Sequence, residues 1–294
     1  MLYIERAAKI FVERSAMSQL SLRFERVKHW SSLIYRSQTF QIPGLDGERP
    51  VSLYLPPDYF LADKTYPLAF FFDGQNLYED EGTMAGGWHL HRVLDQRSRE
   101  GKTVPVVVGI HHGPDRDAEM SPWDPYPGKR GKAERKLDWI LNWLLPRLHR
   151  KLHLSKKPQD TLIGGSSLGG LLALYALFHY PQHLGRGLVM SPALWVNQFA
   201  IYNALMLTQP HEAVRVYIDH GGKEGCECHG NLGFEQSKLL ADLLEVMHFR
   251  PGENLLWNPD PEGLHNEQSW HRRLPTALDF LYEGLVAEPE ALVV

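Results

Sequence analysis

Asp160-Thr-Leu-Ile-Gly-Gly-Ser-Ser-Leu-Gly-Gly-Leu-Leu-Ala-Leu-Tyr-Ala-Leu177 reads as a buried strand, a glycine-lined turn and an apolar helix in immediate succession. The run Thr161–Gly164 is the strand and Gly169–His179 the helix. Between them, Gly165-Ser166-Ser167-Leu168-Gly169 fits G-x-S-x-G with Ser167 at the centre. Three fixed positions are a weak signal in a chain with 25 glycines. The setting carries the weight, because a nucleophilic serine is presented by a sharp strand-to-helix turn and the flanking pattern supplies that turn. Side chains at positions 165 and 169 would collide with the flanking strand and helix, and the helix N-terminus behind Ser167 favours developing negative charge. The competing reading is a phosphate-binding turn, but the lysine of a P-loop and the G-x-G-x-x-G spacing are both missing. Ser166, the neighbouring hydroxyl, is one position out of register with the pattern.

Outward from that segment the chain alternates strand and helix. YPLAFFFDG and TVPVVVGIHH precede it, and GRGLVMS, AVRVYIDHGG and NLLWNP follow it. These are short apolar runs ending in glycine or polar residues, as strands buried on both faces read. Helical stretches lie between them at WHLHRVLDQRSRE, ERKLDWILNWLLPRLHRKL, about 232–248 and about 266–284. SSLIYRSQTFQI and PVSLYL form an opening hairpin. Strands alternating with helices predict an α/β fold with a mostly parallel central sheet and helices on both faces. Residues 1–30 space Ile4, Ala8 and Phe11, and then Leu20, Phe24 and Val27, by threes and fours, so an N-terminal helical arm is expected there, with residues 31–294 as the α/β domain. The arm is expected to offer a surface for homo-oligomer formation.

Composition narrows the function classes. The 294 residues carry 31 basic and 35 acidic side chains, net −4, with no dense basic stretch to track nucleic acid. A 43 % hydrophobic fraction excludes intrinsic disorder. No apolar run reaches the roughly 18–20 residues that cross a bilayer, and the charges spread through MLYIERAAKIFVERSAM interrupt any signal-peptide core. A cytoplasmic location is expected, with no membrane partner. Cys226 and Cys228 are too few and too close for a disulfide framework. With His229 they suggest a metal site, but C-x-C alone does not complete a tetrahedral shell, so neither metal nor cofactor is expected.

A serine nucleophile needs a base, and the base needs an orienting carboxylate, following the serine in the order acid then histidine. His265 follows the last strand and a loop and precedes the closing helix. His179 and His248 lie on or at helices that turn them away, and His271 falls inside the closing helix. For the acid, Glu224 lies in the loop after AVRVYID and Asp219 at the strand end; the loop position places Glu224 ahead without removing Asp219. Two backbone N–H groups must meet the developing oxyanion. Leu168, after the nucleophile, supplies one, and Gln75, after Asp73-Gly74, the other. The Asn76 side chain is near enough to touch substrate. Trp88, Trp123 and Trp195 each follow a strand at the edge where open α/β sheets bind ligands, and Trp195 is the best pocket candidate. Arg116 and Glu119 read either as an ion pair fixing their loop or as substrate contacts.

In order and wording, FFFDGQNLYEDEG, VVVGIHHGPDRDAEMSPW, LIGGSSLGGLLALY, VYIDHGGKEG and GLHNEQSWHRRLPTALDFL resemble the esterase family of α/β hydrolases. That family includes the enterochelin (siderophore) esterases, S-formylglutathione hydrolase, feruloyl and acetylxylan esterases, and mycolyltransferases. The resemblance covers about residues 31–284. It implies Ser167 as nucleophile, Glu224 of Gly221-Gly-Lys-Glu as acid, His265 before Asn266-Glu267 as base, and Gln75 as second oxyanion donor. Leu264 stands where a glycine commonly precedes that histidine. The expected activity is hydrolysis of a small-molecule ester by a serine carboxylesterase through an acyl-enzyme. An acyltransferase and a non-catalytic ligand binder are the alternatives. Substrate choice is expected in loops 75–90, 112–132 and 192–210. The second of these is a stiff aromatic rim with four prolines and three glycines, which suits a small or aromatic, siderophore-like acyl group.

Overall fold

The apolar runs pair into a single nine-stranded sheet in the computed structural model, which describes residues 22–27, 32–60, 64–81, 83, 85–208, 214–225 and 231–285. In chain order the strands are β1 (Phe24–Arg26), β2 (Leu33–Ser37), β3 (Phe40–Gln41), β4 (Glu48–Arg49), β5 (Val51–Leu55), β6 (Leu68–Phe72), β7 (Val106–Ile110), β8 (Thr161–Ser166), β9 (Arg186–Met190), β10 (Arg215–Gly221) and β11 (Leu255–Asp260). β3 and β4 form a separate two-stranded ribbon, and the large sheet runs β1-β2-β5-β7-β6-β8-β9-β10-β11. From β7 to β11 every neighbouring pair is parallel, and β1, β2, β5 and β7 pair antiparallel. This is the mostly parallel α/β-hydrolase architecture expected from the alternating pattern.

The helices are α1 (Leu90–Arg99), α2 (Arg116–Met120), α3 (Ala133–Asp138), a π-helical segment (Trp139–Leu144), α4 (Leu145–Lys151), α5 (Leu168–His179), α6 (Ala200–Met206), α7 (Leu232–Val246) and α8 (Glu267–Tyr282). Alternation along β6 shows how they divide. Phe70 and Phe72 face the layer holding Leu137, Ile140, Leu171 and Leu244, whereas Ala69 and Phe71 face Leu94, Leu274 and Leu278. So α3–α5 and α7 cover one face, and α1 and α8 the other. The helical reading of 133–151 is interrupted at its centre. Pro146 has no N–H and its ring crowds the carbonyl four residues back, so the turn ahead of it widens into the π segment.

Strand order fixes where a site can form. The chain leaves β6 for β7 on one side, and returns past β6 to β8 and onward to β9 on the other. Loops leaving the carboxyl ends of β6 and β8 therefore diverge, which opens a crevice between them. Residues 73–76 and Ser167 sit on its two sides.

The N-terminal reading changes in one place. Phe24–Arg26 is a strand, pairing Phe24 with Ser37 and Arg26 with Tyr35, where the spacing predicts helix. The open edge of β2 offers hydrogen bonds that override a weak local pattern. Residues 1–21 and 28–30 of the helical arm lie outside the described residues, as does the oligomer surface assigned to it. Among the described residues no helix is long and apolar enough to cross a membrane.

Candidate active site

β8 delivers Ser167 into a backbone conformation that L-residues rarely occupy, φ 57° and ψ −124°. Such strain persists only when surrounding structure holds it. Here Ser167 N–H donates to the Met190 carbonyl at 3.0 Å, and its own carbonyl accepts from Leu171 and Ala193, both at 3.0 Å. The turn also needs its glycines. A Cβ at residue 165 would lie 2.8 Å from the Gly169 carbonyl carbon, and one at residue 169 would lie 3.2 Å from Phe72 Cβ. α5 is buried along nearly its whole length, so the turn cannot relax outward. Ser166 is buried within β8.

Glu224 leaves the loop after β10 with its side chain 2 % exposed, and its Oε2 lies 2.7 Å from His265 Nδ1. A proton on Nδ1 donates to that oxygen, leaving Nε2 as the acceptor. Oε1 accepts from Ser191 Oγ at 2.6 Å and Gly221 N–H at 2.8 Å. Burial works against the carboxylate, but the His265 hydrogen bond, the His220 charge and the Ser191 hydroxyl outweigh it, so the Glu224 carboxyl sits below its ordinary value. His265 is 43 % exposed and meets the Trp270 ring edge-on at 5.1 Å. Asp219 points elsewhere. It is wholly buried, accepts from Ser191 N–H at 3.0 Å and Tyr217 OH at 3.0 Å, and lies 3.4 Å from Arg273 Nη1. Burial pushes its carboxyl up to about 7. Of the two acids, Glu224 is the one paired with His265.

Ser191 was not singled out by any sequence pattern. Its hydroxyl donates to Glu224 and accepts from Trp270 Nε1 at 3.0 Å and Arg273 Nη2 at 3.2 Å, which fixes the outer side of the carboxylate. It sits one residue beyond β9 at φ 39°. Because Met190 also accepts the Ser167 N–H, one short segment braces both the serine turn and the acid.

Across the crevice, Asp73 takes φ 52° and starts a single 3₁₀ turn, Gly74–Asn76. Arg116 clamps Asp73 with two bonds, Nε to Oδ1 at 2.9 Å and Nη2 to Oδ2 at 2.7 Å. Burial disfavours the Asp73 carboxylate, but the two Arg116 hydrogen bonds and its charge hold the carboxyl below the ordinary range. Among the described residues no acceptor engages the backbone N–H of Gln75 or of Leu168. The Gln75 side chain accepts from His112 N–H at 3.4 Å. Asn76 donates its amide to Glu267 Oε1 at 3.3 Å.

The remaining candidates scatter. Trp88 is buried against Phe71 and Trp270, and Trp123 packs edge-on against Tyr175. Trp195 is 56 % exposed in the loop after β9. In that loop Asn197, Gln198 and Phe199 are all left-handed, and Asn197 Nδ2 donates to the Asp124 carbonyl at 3.2 Å, tying it to the 112–132 rim. Arg116 and Glu119 do not pair with each other. Glu119 turns into the core between Arg49 at 3.0 Å and Lys136 at 2.9 Å. Cys226, Cys228 and His229 lie outside the described residues, among which no cluster of three or more His, Cys, Asp or Glu could hold a metal. The structure brings together Glu224 and His265; among the described residues no hydrogen bond joins the Ser167 hydroxyl to the His265 ring.

The family described as "Putative esterase" matches residues 42–281. The chain belongs to this esterase family. Among its relatives, the uncharacterized protein YbbA of Bacillus subtilis is 24 % identical over 245 residues, 80 % of this chain and 93 % of that protein. The iron(III) enterobactin esterase of Dickeya dadantii is 46 % identical over 161 residues, 51 % of this chain and 31 % of that enzyme. The crystal structure of the enterobactin esterase FES from Shigella flexneri in the presence of enterobactin superposes with a TM-score of 0.68 and 20 % identity, covering 91 % of this chain and 60 % of that one. At that identity the likeness is one of fold. The chain spans less than two thirds of the length of either enterobactin esterase.

Proposed function

We propose that this protein is a serine carboxylesterase in which Ser167 is the nucleophile, His265 the base and Glu224 the acid. The observation that carries the reading is the 2.7 Å contact between His265 Nδ1 and Glu224, on the sheet edge where the strained Ser167 turn emerges. Ser167 Oγ attacks the ester carbonyl while its proton passes to His265 Nε2. Negative charge grows on the carbonyl oxygen and is met by the N–H groups of Gln75 and Leu168. The tetrahedral intermediate collapses, the bond to the alcohol breaks, and His265 returns the proton to the departing oxygen. Water then repeats the sequence on the acyl-enzyme and releases the acid.

The substrate is a small or aromatic, siderophore-like ester. Two features support this: the aromatic rim around Trp195 and Tyr126, and the similarity to enterobactin esterases over half of the chain. The test is labelling by a fluorophosphonate, followed by burst kinetics with p-nitrophenyl acetate. Wild type is expected to label and show a burst, and Ser167→Ala to do neither; equal labelling of the variant would overturn the nucleophile. A folded protein with no burst and no turnover would be a ligand binder, and acyl transfer to added alcohol in preference to water would be a transferase. In an ester panel, kcat/KM is expected to favour aryl over alkyl acyl groups. A steady rise from acetyl to decanoyl with no response to aryl esters would overturn the substrate class.

A further inference from the structure

One hydrogen bond between residues 191 apart joins the turn that carries Gln75 directly to the helix that follows His265: Asn76 Nδ2 to Glu267 Oε1 at 3.3 Å. Asn76 ends the turn that carries Gln75, and its own N–H returns to the Asp73 carbonyl at 2.9 Å. Glu267 opens α8 two residues after His265. It is 6 % exposed, and burial raises its carboxyl above the ordinary value. A group withdrawn from water that far is costly unless it is partnered, and the Asn76 amide is one of its partners beside its own backbone N–H. A second attachment runs alongside. Asn76 accepts the Trp88 N–H at 2.8 Å, and the Trp88 carbonyl lies 2.7 Å from His271 Nδ1 on the next turn of α8.

The α8 side is itself rigid. Asn266 caps the helix by accepting Ser269 N–H at 2.9 Å, and Ser269 Oγ accepts Leu264 N–H at 2.9 Å, so both residues flanking His265 are held. On the far side the Arg116 clamp on Asp73 holds the start of the turn but makes no bond to α8.

We infer that Glu267 and Asn76 are positioning residues: their hydrogen bond sets the oxyanion turn against His265, so that the Gln75 N–H and the base converge on one tetrahedral centre. This rests on the esterase reading above. Asn76, expected from sequence to touch substrate, here gives its amide to Glu267. Displacement of a catalytic group by about 1 Å costs up to about 100-fold in rate, and the loss falls on the transition state because only there does the oxyanion exist.

The experiment measures kcat and KM for p-nitrophenyl acetate, together with inhibition by an aryl trifluoromethyl ketone, to whose carbonyl Ser167 Oγ adds to form a hemiketal with its oxyanion in the same hole. Glu267→Ala and Asn76→Ala are each expected to lower kcat by about 10- to 100-fold, with KM within about twofold, and to weaken the ketone in proportion. The double variant should be no worse than the poorer single, because either change breaks the same bond. Glu267→Gln, whose amide oxygen still accepts from Asn76, should recover most of the lost kcat. If Glu267→Ala does not fold, Asn76→Ala and Glu267→Gln read the same bond with α8 intact. A rise in KM at constant kcat would make these residues substrate contacts, and native kcat in both alanine variants or fully additive losses would remove the strut; each overturns the inference. Turnover surviving in Ser167→Ala would instead overturn the esterase reading, whatever the Glu267 variants do.

Discussion

Glu224 and Asp219 lie on one strand-loop segment and differ in where their oxygens go. Glu224 meets His265, whereas Asp219 is spent on Ser191, Tyr217 and Arg273. Glu224→Gln is expected to lower kcat by about four orders of magnitude, because an amide that donates to Nδ1 selects the wrong tautomer. Asp219→Asn should act on stability first. Its carboxyl is raised from 3.8 to about 7, so between those values the native state holds a proton that the unfolded chain has released. The stabilisation from that neutral form is complete below the unfolded value and is lost as pH rises through about 7. Thermal scans should therefore show Asp219→Asn gaining Tm relative to wild type as pH rises from 3.8 to about 7 and levelling off above it, and a constant difference across that window would refute the assignment. Glu224, with its lowered value, contributes in the opposite sense and loses its share as pH falls. From sequence, its loop position and the family resemblance put Glu224 ahead of Asp219. Ser191 had no such signal: a serine after a strand is ordinary, and its role appears only when Trp270, Arg273 and Glu224 converge on it.

At the scale of elements, the pairing of β8 with α5 is the most legible part of the chain, because its chemistry is local. Gly165 and Gly169 are small where two backbones meet, and the composition shows it directly. Gly165→Ala is expected to force the strand and helix apart at the 2.8 Å approach, costing about 1–3 kcal/mol of stability and most of kcat, since Ser167 rides on that turn. Denaturant midpoints and turnover measured on the same preparation check both, and unchanged values would mean the turn has slack. What sequence could not show is non-local. Asn76 and Glu267 have no periodicity connecting them, and Arg116 and Glu119, spaced three apart, look like partners until a five-residue helix turns one to Asp73 and the other to Arg49 and Lys136. The wrong period at Phe24–Arg26 has the same origin: three residues of strand depend on a neighbour, not on their own spacing.

Across the whole molecule, the order of strands explains more than any single contact. The crevice exists because the chain reverses its winding between β6 and β8. The same order leaves the sheet two outer margins. β11 closes one with Pro259, which cannot offer an N–H to a newcomer. β1 closes the other with only Phe-Glu-Arg, two of the three charged. Behind β1 lies β2, Leu-Ile-Tyr-Arg-Ser, longer and more apolar. Removing residues 1–31 would bare that row of backbone groups as a template for self-addition. Light scattering on the shortened protein should then rise with concentration and time while the intact chain stays clear, making this short charged strand a guard against fibrous association.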